Sequence, residues 1–485
     1  MRDPQSLPAS ENAPSRHDRH DPMGAAGGEP TGVDAAGAGP TADATDGFTD
    51  GSIGRPIRVL LMISSMDGGG SERQTLLLLQ RIDRSKFIPE LYLLRRAGSL
   101  LGQIPSDVPV HSFEDAATRL SDTEDADRPA DETPIGMGPR VRAAISRLVD
   151  RLPIPGKIHR RQVADLAAVL RSRQIDVIYD RTFHMSLIAA PAAKLCGVPR
   201  VSTIVSPPSR AVPLNAGRFL AAKRRRLREA YADAGRVIAV SHPTAVDAAG
   251  YYDLPRRRFL VVPNPVDSQR LDQIVTASPR PGRDARFTIA CVGRMSVEKG
   301  QRELVWAIGR LKQNDPDFPL PRVWMIGDGP LRESLAGLAR RLGVEDSVDF
   351  LGHVQQPAPW IAAADAVCVP SHFEGFPNVM LEAMALGVPV IARRIDVVRS
   401  LGRLARDPAI RGRDYVATFD ESGNRVGVNL ARTIRATRIN TTATRSRVTA
   451  AGRLAREELS IDKTVPRIER EIAKLVERPL AEMDG

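Results

Sequence analysis

The sequence predicts an α/β protein with two Rossmann-like domains that face each other across a cleft, preceded by a disordered N-terminal tail. Short apolar runs alternate with stretches of helical spacing, and this alternation occurs in two successive series. The length of 485 residues also exceeds what one hydrophobic core usually serves. Two such domains joined by a short hinge would place a cleft between the carboxyl ends of both sheets.

Residues 1–54 form the predicted disordered tail. They are rich in Gly, Ala, Pro, Asp and Thr, with almost no large apolar residue before Phe48. Such a segment cannot bury enough apolar surface to offset the entropy that ordering costs. The tail holds nine acids and three arginines, a balance of −6, so the rest of a chain with a total of +11 carries +17.

The first domain is predicted over residues 55–277. Its apolar run from Ile57 to Ile63 favours a buried parallel strand, followed by a glycine turn and a helix with a capping box of Ser71 and Gln74. Further strands are predicted at 90–94, 177–179, 201–205 and 237–240, and helices near 163–171 and 187–195. The polar, acidic residues of about 115–140 are predicted to be a solvent-exposed insertion.

The second domain is predicted over residues 283–452, after a proline-containing linker at 278–282. Strands are predicted at 287–292, 323–326, 348–351, 366–369 and 388–392, and helices near 302–312, 331–342, 360–364 and 379–386. The C-terminal segment, residues 453–485, contains a last helix at Ile461–Glu477. This helix has no obvious strand partner in the sequence, which favours packing across the hinge.

Composition excludes several classes of protein. A hydrophobic fraction of 42% argues against a wholly disordered chain, and no run of about 18 apolar residues predicts a spanning helix. No apolar segment follows a basic start near the N-terminus, so no secretory signal is predicted. Cys196, Cys291 and Cys368 lie far apart, which excludes a disulfide framework or a CxxC metal site and favours a reducing cytoplasm.

The most informative stretch runs from Val369 to Gly387. A buried strand is predicted to end at its start, a loop with Gly and Pro follows, and a helix begins near Asn378. The free amides and the macrodipole at a helix start favour phosphate. Glu382 lies about one turn inside the helix, and helical side chains lean toward the N-terminus. Its carboxylate could therefore reach a ligand held at the helix start, for instance by accepting hydrogen bonds from the two hydroxyls of a ribose.

Glu374 and Glu382 also suggest a glycosidase pair. Eight residues of helix would separate them by about 12 Å, whereas the carboxylates of hydrolases lie about 5–9.5 Å apart. The alternative is that neither residue binds a ligand: Glu374 would form a salt bridge within the loop, and Glu382 would be an exposed acid on the helix. The Gly-Phe-Pro-Asn sequence between them and the strand–loop–helix context favour a ligand site over that alternative.

Two cations lie in the loop after the first strand of the second domain. Arg294 and Lys299 would face a helix N-terminus across the cleft, where they could neutralise a diphosphate. The alternative is a solvated basic loop.

The three glycines at 68–70 match neither the phosphate-loop pattern nor GxGxxG, but they follow the first strand of the first domain and would face the same cleft.

Together these motifs resemble the retaining glycosyltransferases of family 4 (the group 1 transferases), which have the two-domain GT-B fold. The resemblance spans roughly residues 57–478 and is strongest over 287–392. The matching elements, in chain order, are Gly68 to Gly70, Val240-Ser241, Val262 to Asp267, Gly293-Arg294, Lys299-Gly300, Ile326 to Pro330, Phe350 to Val354, the Glu374 to Glu382 motif and the Gly-Val-Pro-Val-Ile-Ala sequence after it.

The resemblance implies roles for these residues. Arg294 and Lys299 would hold the donor diphosphate, Glu382 the ribose and Glu374 the transferred sugar. The remaining binding residues would be Gly375, Phe376, Pro377 and Asn378 beside the sugar, Val354 at the base through its backbone, and Gly69 and Gly70 against the diphosphate or the acceptor. His184 would match the family's cleft histidine near the sugar, with a helix-cap or surface histidine as the alternative. The sequence departs from the family after Ala392, where Arg393 and Arg394 follow.

The resemblance thus implies transfer of a sugar, with retention, from a UDP- or GDP-sugar to a hydroxyl of a glycan or lipid-linked acceptor. It implies no metal ion and no cofactor, and a place in polysaccharide, glycolipid or cell-envelope glycan synthesis. One alternative is a nucleotide-sugar epimerase of the same architecture.

Another alternative is a basic scaffold that binds membrane or nucleic acid. Its best support is the basic run at 223–228. Aromatic residues form only 4% of the chain, and no aromatic-rich basic sheet pattern occurs, so nucleic acid is not expected as a partner. The predicted location is the cytoplasm. The basic run could dock the protein on the anionic inner face of the membrane, and the alternative is a solvated helix face with a soluble acceptor.

Overall fold

The computed structural model describes residues 55–115, 157–214, 216–279, 281–404, 411–420 and 426–477. The predicted tail at 1–54, nearly all of the predicted insertion at 115–140, and Arg280 of the predicted linker lie outside these residues.

The predicted fold class is confirmed, since two all-parallel sheets with flanking helices form two Rossmann-like domains. The first sheet consists of β1 Ile57–Ile63, β2 Phe87–Leu93, β3 Val110–Ser112, β4 Val177–Arg181, β5 Arg200–Ile204, β6 Arg236–Ala239 and β7 Phe259–Val261. Its strand order is β3-β2-β1-β4-β5-β6-β7. Its helices are α1 Gly70–Arg81, α2 Lys157–Ser172, α3 Phe183–Cys196, α4 Pro208–Leu214, α5 Leu220–Ala232, α6 His242–Tyr252 and α7 Ser268–Ala277.

The second sheet consists of β8 Thr288–Val292, β9 Arg322–Ile326, β10 Val348–Gly352, β11 Ala366–Val369, β12 Val390–Arg393 and β13 Ala417–Phe419. Its strand order is β10-β9-β8-β11-β12-β13. The helices of this part of the chain are α8 Gln301–Asn314, α9 Arg332–Arg341, α10 Ala358–Ala363, α11 Asn378–Ala385, α12 Asp396–Arg399, α13 Val426–Ile439, α14 Thr441–Arg453 and α15 Ile461–Glu477.

Strand β1 lies at the centre of the first sheet and is buried on both faces. It pairs with β2 along its whole length, from Ile57 opposite Phe87 to Ile63 opposite Leu93, and with β4 on its other side. Val59 and Leu61 belong to the same apolar cluster as α15, whereas the alternate residues Leu60 and Met62 pack with α2 and α3. A strand covered by helices on both faces reads as a continuous apolar run, which is why the sequence predicted it.

The C-terminal helix α15 packs on the first sheet although it follows the second domain in the chain. The chain returns through a bridge between Val266 and Ser460, and Glu471 then pairs with Arg236 at 2.6 Å. Ile468 and Ile472 lie buried against the sheet. None of the helices in the described part of the chain is both long and apolar enough to cross a bilayer.

The predicted capping box of Ser71 and Gln74 is wrong. Helix α1 begins at Gly70, and its N-cap residue Gly69 has no side chain that could accept a hydrogen bond. The Gln74 side chain bonds to other parts of the chain instead, since its Nε2 donates to the carbonyl of Pro265 at 3.1 Å and to Oδ1 of Asn378 at 3.3 Å. The helix start is therefore left without a side-chain cap and opens toward the second domain.

Candidate active site

A cleft of about 650 Å³ lies between the two sheets. Both sheets are parallel, so the loops that follow their strands gather at one edge of each sheet, and these edges face each other. From the first domain the lining comes from the loop after β1, the first turn of α1, the end of β4 and the loops after β5 and β7. From the second domain it comes from the loops after β8, β9, β10 and β11 and from the first turns of α11.

Gly300 brings the loop after β8 against the end of β11. Its φ of +65° is in the left-handed region, and a Cβ atom there would overlap the carbonyl oxygen of Pro370. The neighbouring Lys299 is consequently held beside the loop that carries Glu374. Only glycine fits this contact, which explains the Lys-Gly pair in the sequence.

Lys299 and Glu374 form an ion pair in the cleft. The Nζ of Lys299 donates to Oε1 of Glu374 at 2.6 Å, and both side chains are partly exposed on the cleft side. Burial alone would lower the pKa of Lys299, but the charge of Glu374, the hydrogen bond to it and the charge of Glu298 together outweigh burial and raise the pKa above its ordinary value. The loop salt bridge weighed as an alternative for Glu374 thus exists, and it lies inside the cleft.

Arg294 also lines the cleft but is exposed. Its backbone carbonyl accepts a hydrogen bond from Nε2 of Gln301 at 2.8 Å, which fixes the loop, while its guanidinium has no hydrogen-bond partner among the described residues. The side chain is therefore available to a ligand.

Helix α11 presents its N-terminus to the cleft. Its N-cap residue is Pro377, and no side chain caps the helix start, so backbone amides remain available. Glu382 lines the cleft from the second turn, and burial raises the pKa of its carboxyl, partly offset by the charge of Arg73. Cations, free amides and a carboxylate therefore converge on the second-domain wall.

Asn378 links the two domains across the cleft. Its Nδ2 donates to the carbonyl of Gly70 at 2.9 Å, and its Oδ1 accepts from Nδ2 of Asn264 at 2.9 Å. Asn264 also donates to the carbonyl of Phe376 at 3.0 Å. These bonds set the spacing between the Gly-rich turn and helix α11.

The remaining predicted binding residues divide into two groups. Gly69, Gly70, Val354, Phe376, Pro377 and Asn378 all line the cleft. Gly375 does not line it, because this residue packs against the first domain, where a Cβ atom would overlap the carbonyl of Val205. We infer that Gly375 shapes the interdomain contact.

His184 is not brought to the cleft. It is exposed near the start of α3 and lines a separate surface cavity with Ser64, Arg95 and Gln162. Of residues 180–184, it is Arg181 that lines the cleft. Sequence reasoning missed Arg181 and assigned no role to Asn264, although Asn264 lies in the motif from Val262 to Asp267. The position of Arg181 as the last residue of an apolar strand was the available signal.

Two family models match the chain, one on each side of the hinge. The model described as Glycosyltransferase Family 4 matches residues 68–270, and the model described as Glycosyl transferases group 1 matches residues 286–408. The first model covers the Gly-rich turn and Arg181, and the second covers Arg294, Lys299, Glu374 and Glu382.

Curated relatives include D-inositol 3-phosphate glycosyltransferases. That of Actinosynnema mirum is 36% identical over 184 residues, which is 34% of this chain and 42% of the relative. That of Pseudarthrobacter chlorophenolicus is 28% identical over 323 residues, which is 61% of this chain and 75% of the relative. The alignment with the first of these relatives thus spans less than half of its length.

Solved structures share the fold. HepE of Anabaena in complex with UDP and glucose has a TM-score of 0.61 at 20% identity, covering 86% of this chain and 99% of that chain. Sucrose-phosphate synthase of Thermosynechococcus elongatus has a TM-score of 0.62 at 15% identity, with the same coverage of 86% and 99%. The two family models and the shared fold together support a glycosyltransferase with the GT-B fold.

Proposed function

We propose that the protein transfers a sugar from a nucleoside diphosphate donor to an acceptor hydroxyl with retention of the anomeric configuration. The observation that carries the proposal is the second-domain wall of the cleft. It combines Lys299 in an ion pair with Glu374, the exposed guanidinium of Arg294, the uncapped start of α11 and the carboxylate of Glu382. This set matches the charges of a nucleoside diphosphate and the hydroxyls of a ribose.

The proposed mechanism begins with departure of the diphosphate. Negative charge grows on the diphosphate as the bond to the sugar breaks, and Arg294 and Lys299 are placed to stabilise that charge. The amides at the start of α11 add to the positive potential. Glu374 orients Lys299 through their bond and accepts hydrogen bonds from hydroxyls of the sugar.

An acceptor hydroxyl then attacks the oxocarbenium-like sugar from the face that the diphosphate leaves. The departing phosphate oxygen takes the proton of the acceptor, so this chain supplies no nucleophile in the proposed mechanism. Among the described residues, no group of three or more His, Cys, Asp or Glu side chains is placed to hold a metal ion. We propose that the cations of the cleft stabilise the leaving group themselves.

A donor screen tests the proposal. The purified protein is incubated with UDP- and GDP-sugars, and release of the free nucleoside diphosphate is measured with and without candidate glycan and lipid-linked acceptors. We expect release from one donor class, and nuclear magnetic resonance of the product should show the anomeric configuration of the donor. An inverted product contradicts retention, and epimerised donor without release supports the epimerase alternative.

We further propose a cytoplasmic enzyme that meets its acceptor at an anionic membrane surface. The support is helix α5, where Arg224, Arg225, Arg226 and Arg228 are exposed. Leu227, within this run, is buried and would not enter the lipid, whereas Phe219 before the helix is 57% exposed. The surface therefore offers mainly charge, and its binding should depend on salt.

A further inference from the structure

Arg181 is a buried cation in the first-domain wall of the cleft. Its side chain is 5% exposed and lines the cleft at the end of β4. One terminal nitrogen, Nη2, donates to Oδ1 of Asn264 at 2.7 Å, and Nη1 lies 3.5 Å from the hydroxyl of Tyr179. The Nε atom is buried and has no hydrogen-bond partner in the described structure.

Three arginines are buried in the described part of the chain, and Arg181 differs from the other two. Arg200, 3% exposed, pairs with Asp180 at 3.1 Å, and Arg393, 2% exposed, pairs with Glu303 at 3.2 Å. The hydrogen-bond partners of Arg181 are neutral, and none of the ion pairs among the described residues includes it. The carboxylate of Glu72, which lines the same cleft, acts on Arg181 through space without bonding to it. A buried guanidinium that no carboxylate contacts directly is costly, and an anion bonded at its open side would lower that cost.

The backbone beside Arg181 is held in an unusual conformation. Thr182 has φ +83° and ψ 151°, a region that a β-branched residue rarely adopts, and its Oγ1 is also buried without a partner in the described structure. This conformation turns the chain directly after the strand, while α3 begins at Phe183. Two unpaired polar atoms therefore belong to adjacent residues, and the first of these residues, Arg181, lines the cleft.

We propose that Arg181 binds an anionic group, a carboxylate or a phosphate, on a substrate that contacts the first-domain wall. The inference rests on the proposed transferase function and deepens it, because it makes the sugar or the acceptor acidic. The donor diphosphate is assigned to Arg294 and Lys299 on the opposite wall, so Arg181 serves a second anion. Its planar fork suits such a group, with Nε as the free donor.

Binding measurements on four proteins test the proposal: the wild type, Arg181→Gln, Arg181→Lys and the control Arg171→Gln, which removes an exposed arginine from α2. Calorimetry gives the Kd of UDP or GDP, whichever the wild type binds. The donor arm compares UDP-glucose with UDP-glucuronate, or GDP-mannose with GDP-mannuronate. The acceptor arm titrates inorganic phosphate into protein saturated with the nucleoside diphosphate.

We expect the wild type and Arg171→Gln to bind the anionic probe of one arm, and Arg181→Gln to bind it about 10-fold to 100-fold more weakly. Arg181→Lys should keep part of the affinity, because it keeps the charge and loses the fork. Nucleoside diphosphate affinity should change less than about threefold throughout. The arm that responds identifies whether the anion belongs to the sugar or to the acceptor.

Three results overturn the proposal. The wild type could show no preference for the anionic probe in either arm, or Arg181→Gln could keep that preference. In the third result, Arg181→Gln loses as much affinity for the nucleoside diphosphate as for the anionic probe. The last would make Arg181 a ligand of the donor diphosphate. If Arg181→Gln does not fold, the wild type and Arg181→Lys decide through the same titrations. Failure of the transferase function looks different, since the wild type would then release no free nucleoside diphosphate from any donor in the donor screen, whatever the titrations of the Arg181 variants show.

Discussion

At the scale of single residues, the two cations of the second-domain wall carry the proposed chemistry. Arg294→Ala and Lys299→Ala should each lower kcat for nucleoside diphosphate release by about 100-fold or more, because each removes charge stabilisation that grows as the leaving group departs. Lys312→Ala, which removes an exposed lysine on α8, is the matched control and should act like the wild type. Steady-state kinetics measure this effect. Unchanged rates in both cleft variants would refute the assignment.

The buried carboxylate of Glu382 should favour donor binding and lower the stability of the folded protein. Burial raises its folded pKa above the unfolded value, so its contribution to stability is complete at low pH and is lost as pH rises through the raised pKa. Glu382→Gln should therefore raise the Tm near neutral pH and above, change it less in acid, and weaken donor binding throughout. Thermal melts across this pH range and calorimetry measure both effects. The exposed Glu333→Gln is the control, and a lower Tm for Glu382→Gln in mildly alkaline buffer would contradict the prediction.

The site residues illustrate what a sequence can predict at this scale. Lys299, Glu374 and Glu382 were predicted because loops after parallel strands must meet at one edge of a sheet. His184 was predicted from the family resemblance, and Arg181 was missed because the direction of these side chains depends on the backbone at Thr182. A φ of +83° at a threonine is set by tertiary packing and has no local sequence signal.

At the scale of elements, the loop that carries Lys299 depends on one glycine. Gly300→Ala should lower the Tm and the rate together, because the new Cβ atom must displace the loop from Pro370. Gly387→Ala is the matched control, since its φ of +71° is similar and nothing lies within 4 Å of its added Cβ atom. In the control the free energy of unfolding should fall only by the backbone strain, about 1 kcal/mol. Equal Tm losses in the two variants would show that the contact with Pro370 is unimportant.

Helix α5 should determine membrane binding if the acceptor is lipid-linked. The wild type should sediment with anionic vesicles at low salt and be released at high salt, because each basic residue near such a surface contributes about 1 kcal/mol. Replacing Arg225 and Arg226 together by Gln should weaken sedimentation, while Arg171→Gln outside the helix tests the effect of charge alone. Equal recovery in the supernatant with neutral and anionic vesicles would end the peripheral-membrane proposal.

Element prediction succeeded where strands are buried on both faces and failed where they are short. The predicted strands of both series are present, because a strand buried on both faces gives a nearly continuous apolar run, such as Ile57–Ile63, that can be recognised in the sequence. Strands β3, β7 and β13 were missed because each has only three residues, too few for a periodic pattern. Their place at sheet edges depends on neighbours far along the chain.

At the scale of the whole molecule, the last helix should stabilise the first domain. Ile472 is fully buried on the first sheet. Its replacement by Ala should lower the free energy of unfolding by about 2–5 kcal/mol. Ile439→Ala is the control, because that side chain ends α13 and is 56% exposed. Denaturant unfolding measures both. A loss below about 0.5 kcal/mol for Ile472→Ala, the range of ordinary surface changes, would show that α15 adds little to the first domain.

The two-domain organisation followed from the sequence, but the contacts between the domains did not. Two series of strands and helices each predict a parallel sheet, and parallel sheets predict where a cleft lies. Asn378 and Gly70 meet although 308 positions separate them, and neither residue type predicts its partner. Such pairings depend on how the two sheets are placed relative to each other, which local pattern cannot encode.

The return of α15 to the first sheet has a consequence for synthesis on the ribosome. The first sheet is complete once Val261 has been made, yet the helix that covers one of its faces begins only at Ile461. At about 5–20 residues per second, translation of the intervening roughly 200 residues takes on the order of 10–40 s. For that time the part of this apolar face that α15 covers, beside α1, stays exposed on the nascent domain. Ribosome-stalled chains that end before Ile461 should therefore be cut faster by a short protease pulse than released chains, and chaperones that bind apolar surface should hold them until termination.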